Sequence, residues 1–271
     1  MSTQKPDGDG QDFRTPRLLT SCLIIVMEEK GGVGKSGTAQ CCAQALKMAG
    51  EQLLITETDQ SNSNMTMVGL ANYPPIDVRE DGAVGGFLEI IEKLEQKQFG
   101  HALVDTGARD DKIVQGMLPQ LLPHLKKAGV HLIVVRPLTT SHFVQVNAHE
   151  YATKSKPPGT GCVFVLNLSQ GRVAKDYDEW RRLRAHQQCL DAGVIEIEMG
   201  SVGVVAADNA ISFGLAFEDV AMGRFSGAKQ HATKAAELFP RSRQLFLADY
   251  LVRHATTFRQ AFADTFARSQ S

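Results

Sequence analysis

A glycine-rich heptad near the start of this chain of 271 residues lies between two segments of contrasting pattern. It reads Lys30-Gly31-Gly32-Val33-Gly34-Lys35-Ser36. The apolar run 23–27 before it predicts a buried strand, and the alanine-rich stretch 38–49 after it predicts a helix. A strand, a glycine loop and a helix in that order direct backbone N–H groups and the positive end of the helix dipole at an anion. The heptad therefore predicts a phosphate-binding loop.

Within this loop, Lys35 would reach the β- and γ-phosphates of a nucleotide and the Ser36 hydroxyl would ligate Mg²⁺. The general pattern requires glycine at position 29, but Glu29 stands there and a second lysine, Lys30, follows it. The K-G-G-V-G-K-S form resembles the deviant Walker A motif of the ParA/MinD family of dimerising ATPases. The resemblance implies ATP and Mg²⁺ as ligands, and a catalytic Lys30 that reaches across a dimer interface to the partner's nucleotide. The residues it assigns to ATP are Gly31, Gly32, Val33, Gly34, Lys35, Ser36 and Gly37.

Composition and charge limit the class of protein. Hydrophobic residues make up 43% of the chain and charged residues 22%, which predicts a substantial core. The formal net charge of −1 offers no bulk polycation to nucleic acid, so DNA affinity would require a local basic face. No apolar run approaches the roughly 18 residues of a membrane span. The five cysteines lack the C-x-x-C spacing of zinc and redox sites, which predicts buried thiols in a reducing cytoplasm.

Short apolar runs rich in Val, Ile and Leu alternate with helical patterns, which predicts a parallel sheet covered on both faces. The predicted strands are 23–27, 52–56, 101–105, 130–136, 162–167 and 194–198. Further helices are predicted at 86–98 and 117–127, and the last sixty residues look wholly helical. The fold class is thus α/β, a doubly wound and mainly parallel sheet of the P-loop NTPase type, with a helical C-terminal extension and nucleotide at the carboxyl ends of the strands. Residues 1–20 are predicted to be a flexible extension, and 21–271 a single domain.

Two strand ends carry the acids that hydrolysis needs. The run 99–107 resembles a Walker B strand, whose Asp105 would hold magnesium through a water; the alternative is a capping aspartate. The run 53–62 looks like the family's second strand, whose usual ending is D-x-D-P-Q-G-N, with Glu57 at the first acid and Asp59 at the second. The resemblance implies that Asp59 orders the attacking water and that Glu57 lies near the metal and phosphates. The alternative for both is a solvated turn acid.

Asn167 closes the fifth predicted strand and resembles the family asparagine that hydrogen-bonds the adenine ring, because an amide both donates and accepts. A strand-ending asparagine is also an ordinary turn former. The family resemblance extends from about residue 23 to residue 217 and fades in the C-terminal helices.

Several branches of the superfamily are disfavoured by what the chain lacks. Electron carriers need cysteines at a dimer axis, and no cysteine closely follows the Walker B strand. Membrane-bound members end in a basic amphipathic helix, whereas this chain ends with Phe258, Phe262 and Phe266 flanked only by Arg259 and Arg268. This aromatic stripe therefore predicts packing against the domain or a partner, and membrane binding is not expected.

Two finer features leave alternatives open. The sequence D-T-G-A at 105–108, with E-T-D-Q-S-N-S-N at 57–64, resembles the plasmid-borne TraL and StbB type of ParA-like ATPase. Direct DNA binding stays open, because two basic sets are either cationic faces or solvated helices. The first set is Arg172, Lys175, Arg181, Arg182 and Arg184, with Trp180 among them and Asp176, Asp178 and Glu179 as the expected ion-pair partners. The second set is Lys229, Lys234, Arg241 and Arg243.

The leading hypothesis is an ATP-driven dimerisation switch. ATP would bridge two copies of the chain, a protein partner that stimulates hydrolysis would bind the dimer, and hydrolysis would release it. Its task would be partitioning or positioning of plasmid DNA or another large cargo. One alternative is an ATP-dependent ligase or kinase, for which only the run 139–142 offers a second polar pocket. The other is a metal-centre maturation ATPase, which the eight scattered histidines hardly support.

Overall fold

A single sheet of parallel strands organises the protein, seen in a computed structural model that describes residues 20–48, 50, 52–58, 64–78, 83–168, 172–201 and 204–269. In this part of the chain the sheet has six strands in the order β2-β3-β1-β4-β5-β6. They are β1 (Cys22–Val26), β2 (Leu53–Glu57), β3 (His101–Asp105), β4 (His131–Leu138), β5 (Gly161–Asn167) and β6 (Ile195–Met199). Every paired neighbour is parallel. The six strands predicted from the sequence are confirmed, each within two residues at either end.

Helices connect the strands and complete the C-terminal part. Those between strands are α1 (Lys35–Lys47), α2 (Asn64–Met67), α3 (Ala83–Glu95), α4 (Asp111–Ala128), α5 (His142–Glu150), α6 (Asp178–Arg182) and α7 (Arg184–Asp191). After β6 come α8 (Val204–Ser212), α9 (Phe217–Ala221), α10 (Ala232–Leu238) and α11 (Arg241–Ser269). A π-helical turn, Tyr151–Ser155, extends α5, and 3-10 turns span Ala174–Tyr177 and Ser226–His231.

The core lies in two layers because alternate strand residues point to opposite faces of the sheet. Ile24 and Val26 of β1 belong to a cluster that includes side chains of α1 and α11. Leu23 and Ile25 belong to the other cluster, with side chains of α3 and α4. Both faces of the sheet are therefore covered, which confirms the doubly wound α/β fold.

The helix predictions differ from the structure mainly at their ends. The predicted 86–98 is α3, three residues earlier at both ends. The predicted 117–127 is α4, which begins six residues earlier and runs through Pro119 and Pro123. Both prolines are exposed rather than packed in the core, and α4 continues through them. The prolines therefore do not end the helix.

The C-terminal aromatic stripe packs inside the protein. Phe258 and Phe262 of α11 are fully buried in the cluster that includes α1, and Phe266 lies edge-on to the ring of His131. The prediction of packing is confirmed, as is the burial of all five cysteines, which are free thiols. Among the residues that the structure describes, no helix combines the length and hydropathy that a membrane crossing requires.

Two members of the first basic set, Trp180 and Arg181, contact the edge strand β6. Trp180 is buried and its indole N–H donates to Glu196 of β6. Arg181 pairs with Glu196 at 3.1 Å and with Glu198 at 2.7 Å. The expectation that Arg181 pairs with nearby acids of its own segment is thus wrong, because the exposed edge of β6 brings two glutamates closer. Trp180 and Arg181 therefore join α6 to the sheet.

We expect Phe262→Ala to lower the free energy of unfolding by about 3–5 kcal/mol, because it deletes a fully buried aromatic ring from a packed core. Phe246→Ala on the same helix is the matched control. Phe246 is 52% exposed, so its loss should change stability by less than about 0.5 kcal/mol. Urea unfolding followed by circular dichroism measures both values. Equal effects of the two substitutions would contradict the burial of the stripe.

Candidate nucleotide-binding site

The predicted site residues come together at one edge of the sheet. Glu57, Asp105 and Asn167 are the last residues of β2, β3 and β5, and the glycine loop follows β1. Glu57 and Asp105 lie directly opposite each other in the β2–β3 register. Because all these strands are parallel, their carboxyl ends share this edge, which is where doubly wound sheets bind ligands.

The glycine loop makes a tight turn into α1. Gly32 and Gly34 have φ values of 74° and 95°, a left-handed conformation that side-chain-bearing residues avoid. Gly34 is the N-cap of α1, so the next residue, Lys35, begins the helix. A Cβ placed on Gly31 or Gly32 would meet no atom within 4 Å. The front of the loop is thus open space beside a helix N-terminus, the arrangement that a phosphate group requires.

The two lysines of the loop lie in different surroundings. The ammonium of Lys35 donates to the backbone carbonyl of Glu28 at 2.6 Å, which keeps it on the loop it belongs to. Lys30 is exposed at the front of the loop and donates to Ser141 Oγ, just before α5, at 3.2 Å. Lys35 therefore lies over the cradle, whereas Lys30 lies at the surface.

Ser36 and Asp105 are neighbours, as a shared metal requires. The Ser36 hydroxyl donates to the Asp105 carboxylate and accepts an N–H from Asn64 at 3.1 Å. Burial raises the pKa of Asp105 to about 7, while Ser36 and the ammonium of Lys35 lower it. Asp105 Oδ1 is buried and has no hydrogen-bond partner among the residues that the structure describes. A buried carboxylate oxygen without a partner, beside a hydroxyl, fits the oxygen ligands that Mg²⁺ prefers.

Glu57 is buried and has a structural contact that the sequence did not suggest. Its two carboxylate oxygens each accept a backbone N–H at the start of α2, from Met65 and from Thr66, both at 3.1 Å. Asn64 of the same turn contacts Ser36, so Glu57 also positions a neighbour of the metal site. Its catalytic role stays a prediction. Asp59, the predicted water-positioning acid, lies outside the described residues.

Asn167 contacts the glycine loop directly. Its amide donates to the Val33 carbonyl at 2.6 Å, and a Cβ on Gly34 would lie 2.3 Å from the Asn167 Nδ2 atom. The backbone carbonyl of Asn167 accepts the Tyr177 hydroxyl at 2.8 Å. The adenine contact implied by the family resemblance stays a prediction. A side chain at position 34 would therefore meet both a left-handed backbone and the Asn167 amide.

Four polar residues near the site were missed by the sequence reasoning. Thr58 donates to Asp110 at 2.8 Å and accepts the Gly107 N–H at 3.0 Å, which ties the end of β2 to the segment after β3. Thr106 donates to Asp111, whose pKa burial raises to about 7. Asp111 starts α4, and its Oδ2 atom is buried with no hydrogen-bond partner from the described residues. The available signal was the acid doublet just before a helical pattern, a common helix start.

No protein-family model and no curated protein matches this chain. Among solved structures, the septum site-determining protein MinD of Pyrococcus horikoshii OT3, complexed with Mg-ADP, is similar with a TM-score of 0.46 and 16% identity, over 80% of this chain and 95% of that chain. Cyanothece McdA in an ATP complex gives a TM-score of 0.45 and 9% identity, over 80% of this chain and 97% of that chain. Cobyrinic acid a,c-diamide synthase of Mycobacterium smegmatis, with bound ADP and magnesium, has a TM-score of 0.37 and 14% sequence identity. The match covers 60% of this chain and 83% of that chain. The function is therefore inferred from this chain's own residues.

We expect Gly34→Ala to distort the loop, because it combines left-handed backbone strain of about 1–2 kcal/mol with a collision against Asn167. Gly85→Ala in α3 is the matched control, since its φ is not in the left-handed range, its Cβ meets no atom of the described residues and it lies outside the loop. Titration with a fluorescent ATP analogue should show strongly weakened binding for Gly34→Ala and near-normal binding for Gly85→Ala. Normal binding by Gly34→Ala would contradict the contact between the loop and Asn167.

Proposed function

We propose that this chain is a magnesium-dependent ATPase that acts as a nucleotide-controlled dimerisation switch. The observation that carries the proposal is the placement of Lys35, Ser36 and Asp105 around an open glycine cradle at the carboxyl edge of the sheet. A Mg·ATP site needs a phosphate-binding cation, a hydroxyl and a buried carboxylate. Here the three groups follow the ends of two strands that the parallel sheet brings together.

Each group has a distinct task in this reaction. Lys35 would leave the Glu28 carbonyl for the β- and γ-phosphates, where it neutralises charge. Ser36 and Asp105 would hold Mg²⁺. When bound, this ion would neutralise negative charge on the phosphate oxygens and so reduce their repulsion of the attacking water. Asp59, two residues after the end of β2, would orient that water. Glu57 would support the site through its hold on the start of α2.

The dimer is supported by the surface around Lys30. This lysine is exposed, and its contact with Ser141 is a single hydrogen bond at the surface that is easily exchanged for a phosphate. Phe143 and Val146 on the following helix, α5, are 54% and 39% exposed and lie three residues apart, hence on one face. A second copy of the chain would cover this face and receive Lys30 at its nucleotide.

The cellular task that fits such a switch is positioning or partitioning of a large cargo. ATP binding would create the dimer surface to which a protein partner binds, and hydrolysis would remove it. The partner would also stimulate hydrolysis, so basal turnover is expected to be slow. A plasmid, in a stability or conjugation system, is the cargo suggested by the finer sequence resemblance at 105–108.

Substitution of the two lysines should separate nucleotide binding from dimerisation. Lys35→Ala should weaken ATP binding by about 1.5–3 kcal/mol, roughly ten- to 150-fold, because it removes a charge-assisted phosphate contact. Lys30→Ala should keep measurable ATP binding but lose the shift from monomer to dimer. Isothermal titration measures binding, and light scattering with and without Mg·ATP measures the dimer.

The wild type serves as the reference for both measurements. An unchanged affinity in Lys35→Ala would exclude the phosphate-loop assignment. A wild-type dimer fraction that is the same with and without ATP would exclude the switch while leaving nucleotide binding intact.

Asp59→Ala should separate binding from hydrolysis. If Asp59 orders the attacking water, its removal leaves the phosphate and magnesium contacts in place and slows the chemical step about a hundredfold or more. The variant should accumulate as an ATP-bound dimer that turns over poorly. Single-turnover assays with labelled ATP measure the rate of the chemical step. Hydrolysis at the wild-type rate would reduce Asp59 to a turn residue, and Glu57→Gln in the same assay would then test the other acid.

A further inference from the structure

A buried ion pair joins the start of the phosphate loop to the middle of the sheet. Glu28, which follows β1, is 0% exposed, and Arg136 of β4 is 1% exposed. Arg136 Nη2 and Nε donate to the same oxygen, Glu28 Oε2, at 2.9 and 3.3 Å. The guanidinium also lies 5.1 Å from the ring centre of Tyr151. The pair is enclosed between neighbouring strands and an aromatic face.

The same glutamate holds Lys35. The Glu28 backbone carbonyl accepts the Lys35 ammonium at 2.6 Å, while its side chain is fixed by Arg136. The position of this peptide group, and hence the resting place of the ammonium, depends on the anchored side chain. Arg136 thus acts on Lys35 through one residue that both of them contact.

The pair is poorly suited to a purely stabilising role. Glu28 Oε1 and Arg136 Nη1 are buried and have no hydrogen-bond partner in the described part of the chain, so each ion is only partly compensated. Burial raises the pKa of Glu28, against the lowering by Arg136 and by Lys35. Buried ion pairs of this kind can often be replaced by apolar residues without loss of stability. A charged pair at this place therefore calls for a role other than stability.

We propose that Glu28 and Arg136 are positioning residues for the phosphate-binding lysine, and that their ion pair fixes the peptide group that holds the Lys35 ammonium ready for a nucleotide. Neither residue contacts the nucleotide in this role. The pair also keeps the Glu28 carboxylate neutralised, so that it does not add negative charge beside the incoming phosphates. This proposal rests on the proposed function, since it concerns the lysine of the same ATP site.

The experiment replaces the pair by apolar residues of similar size, Glu28→Leu with Arg136→Met, in the full chain. The double variant should unfold at a denaturant concentration no lower than that of the wild type, yet bind a fluorescent ATP analogue about tenfold more weakly. Arg181→Met is the control, because it removes an ion pair to β6 that does not contact Lys35. Its affinity for the analogue should match that of the wild type.

A double-mutant cycle with Lys35→Ala tests whether the pair acts through the lysine. If it does, the apolar pair should cause no further loss of affinity in the Lys35→Ala background, because the positioned group is already absent. Additive losses in the two backgrounds would overturn the proposal, and so would wild-type affinity in the folded double variant. If the double variant does not fold, Arg136→Lys takes its place in the same cycle. This substitution keeps the charge but loses the two-nitrogen contact, and the expected and contrary outcomes are the same.

Failure of this proposal can be told apart from failure of the proposed function. A wild-type protein that does not bind the ATP analogue contradicts the function itself. A wild type that binds, with weakened binding in Lys35→Ala and undiminished binding in the apolar double variant, leaves the ATP site standing and removes only the positioning role.

Discussion

The left-handed turn at Gly34 is the constraint on which the nucleotide site depends. It directs the chain from β1 into α1 so sharply that Lys35 is the first residue of the helix. The turn is held from outside by Asn167, whose amide donates to the carbonyl just before it. A Cβ at position 34 would collide with this amide, so the close packing of β5 against the loop depends on glycine there.

Electrostatics gives the site its second defining property. Asp105 and Asp111 are buried, and desolvation raises the pKa of each to about 7. Lys35 lowers the pKa of both, so a single ammonium offsets the negative charge of two buried carboxylates. A divalent cation at Ser36 and Asp105 would supply the missing positive charge. This charge balance supports the proposal of a ligand that brings its own metal ion, such as a nucleoside triphosphate.

The segments after β2 and β3 are tied to each other by hydrogen bonds. Thr58 contacts both Asp110 and the Gly107 N–H, and Glu57 holds the first turn of α2, which in turn contacts Ser36. A change at the phosphates would thus reach α2 and α4 through a few hydrogen bonds. This is the kind of connected element that a nucleotide-dependent change of surface requires.

The sequence by itself determined the strands, the parallel sheet and the phosphate loop, because each depends on local periodicity or on a short motif. It also placed Asp105 and Asn167 at strand ends, and so at the carboxyl edge. Only the tertiary structure decided which distant groups meet there. Glu28 and Arg136 are 108 residues apart, and Asn167 and Val33 are 134 apart. No local pattern marks such pairs, since an arginine in a strand and a glutamate before a loop acquire their roles only when folding buries them against each other.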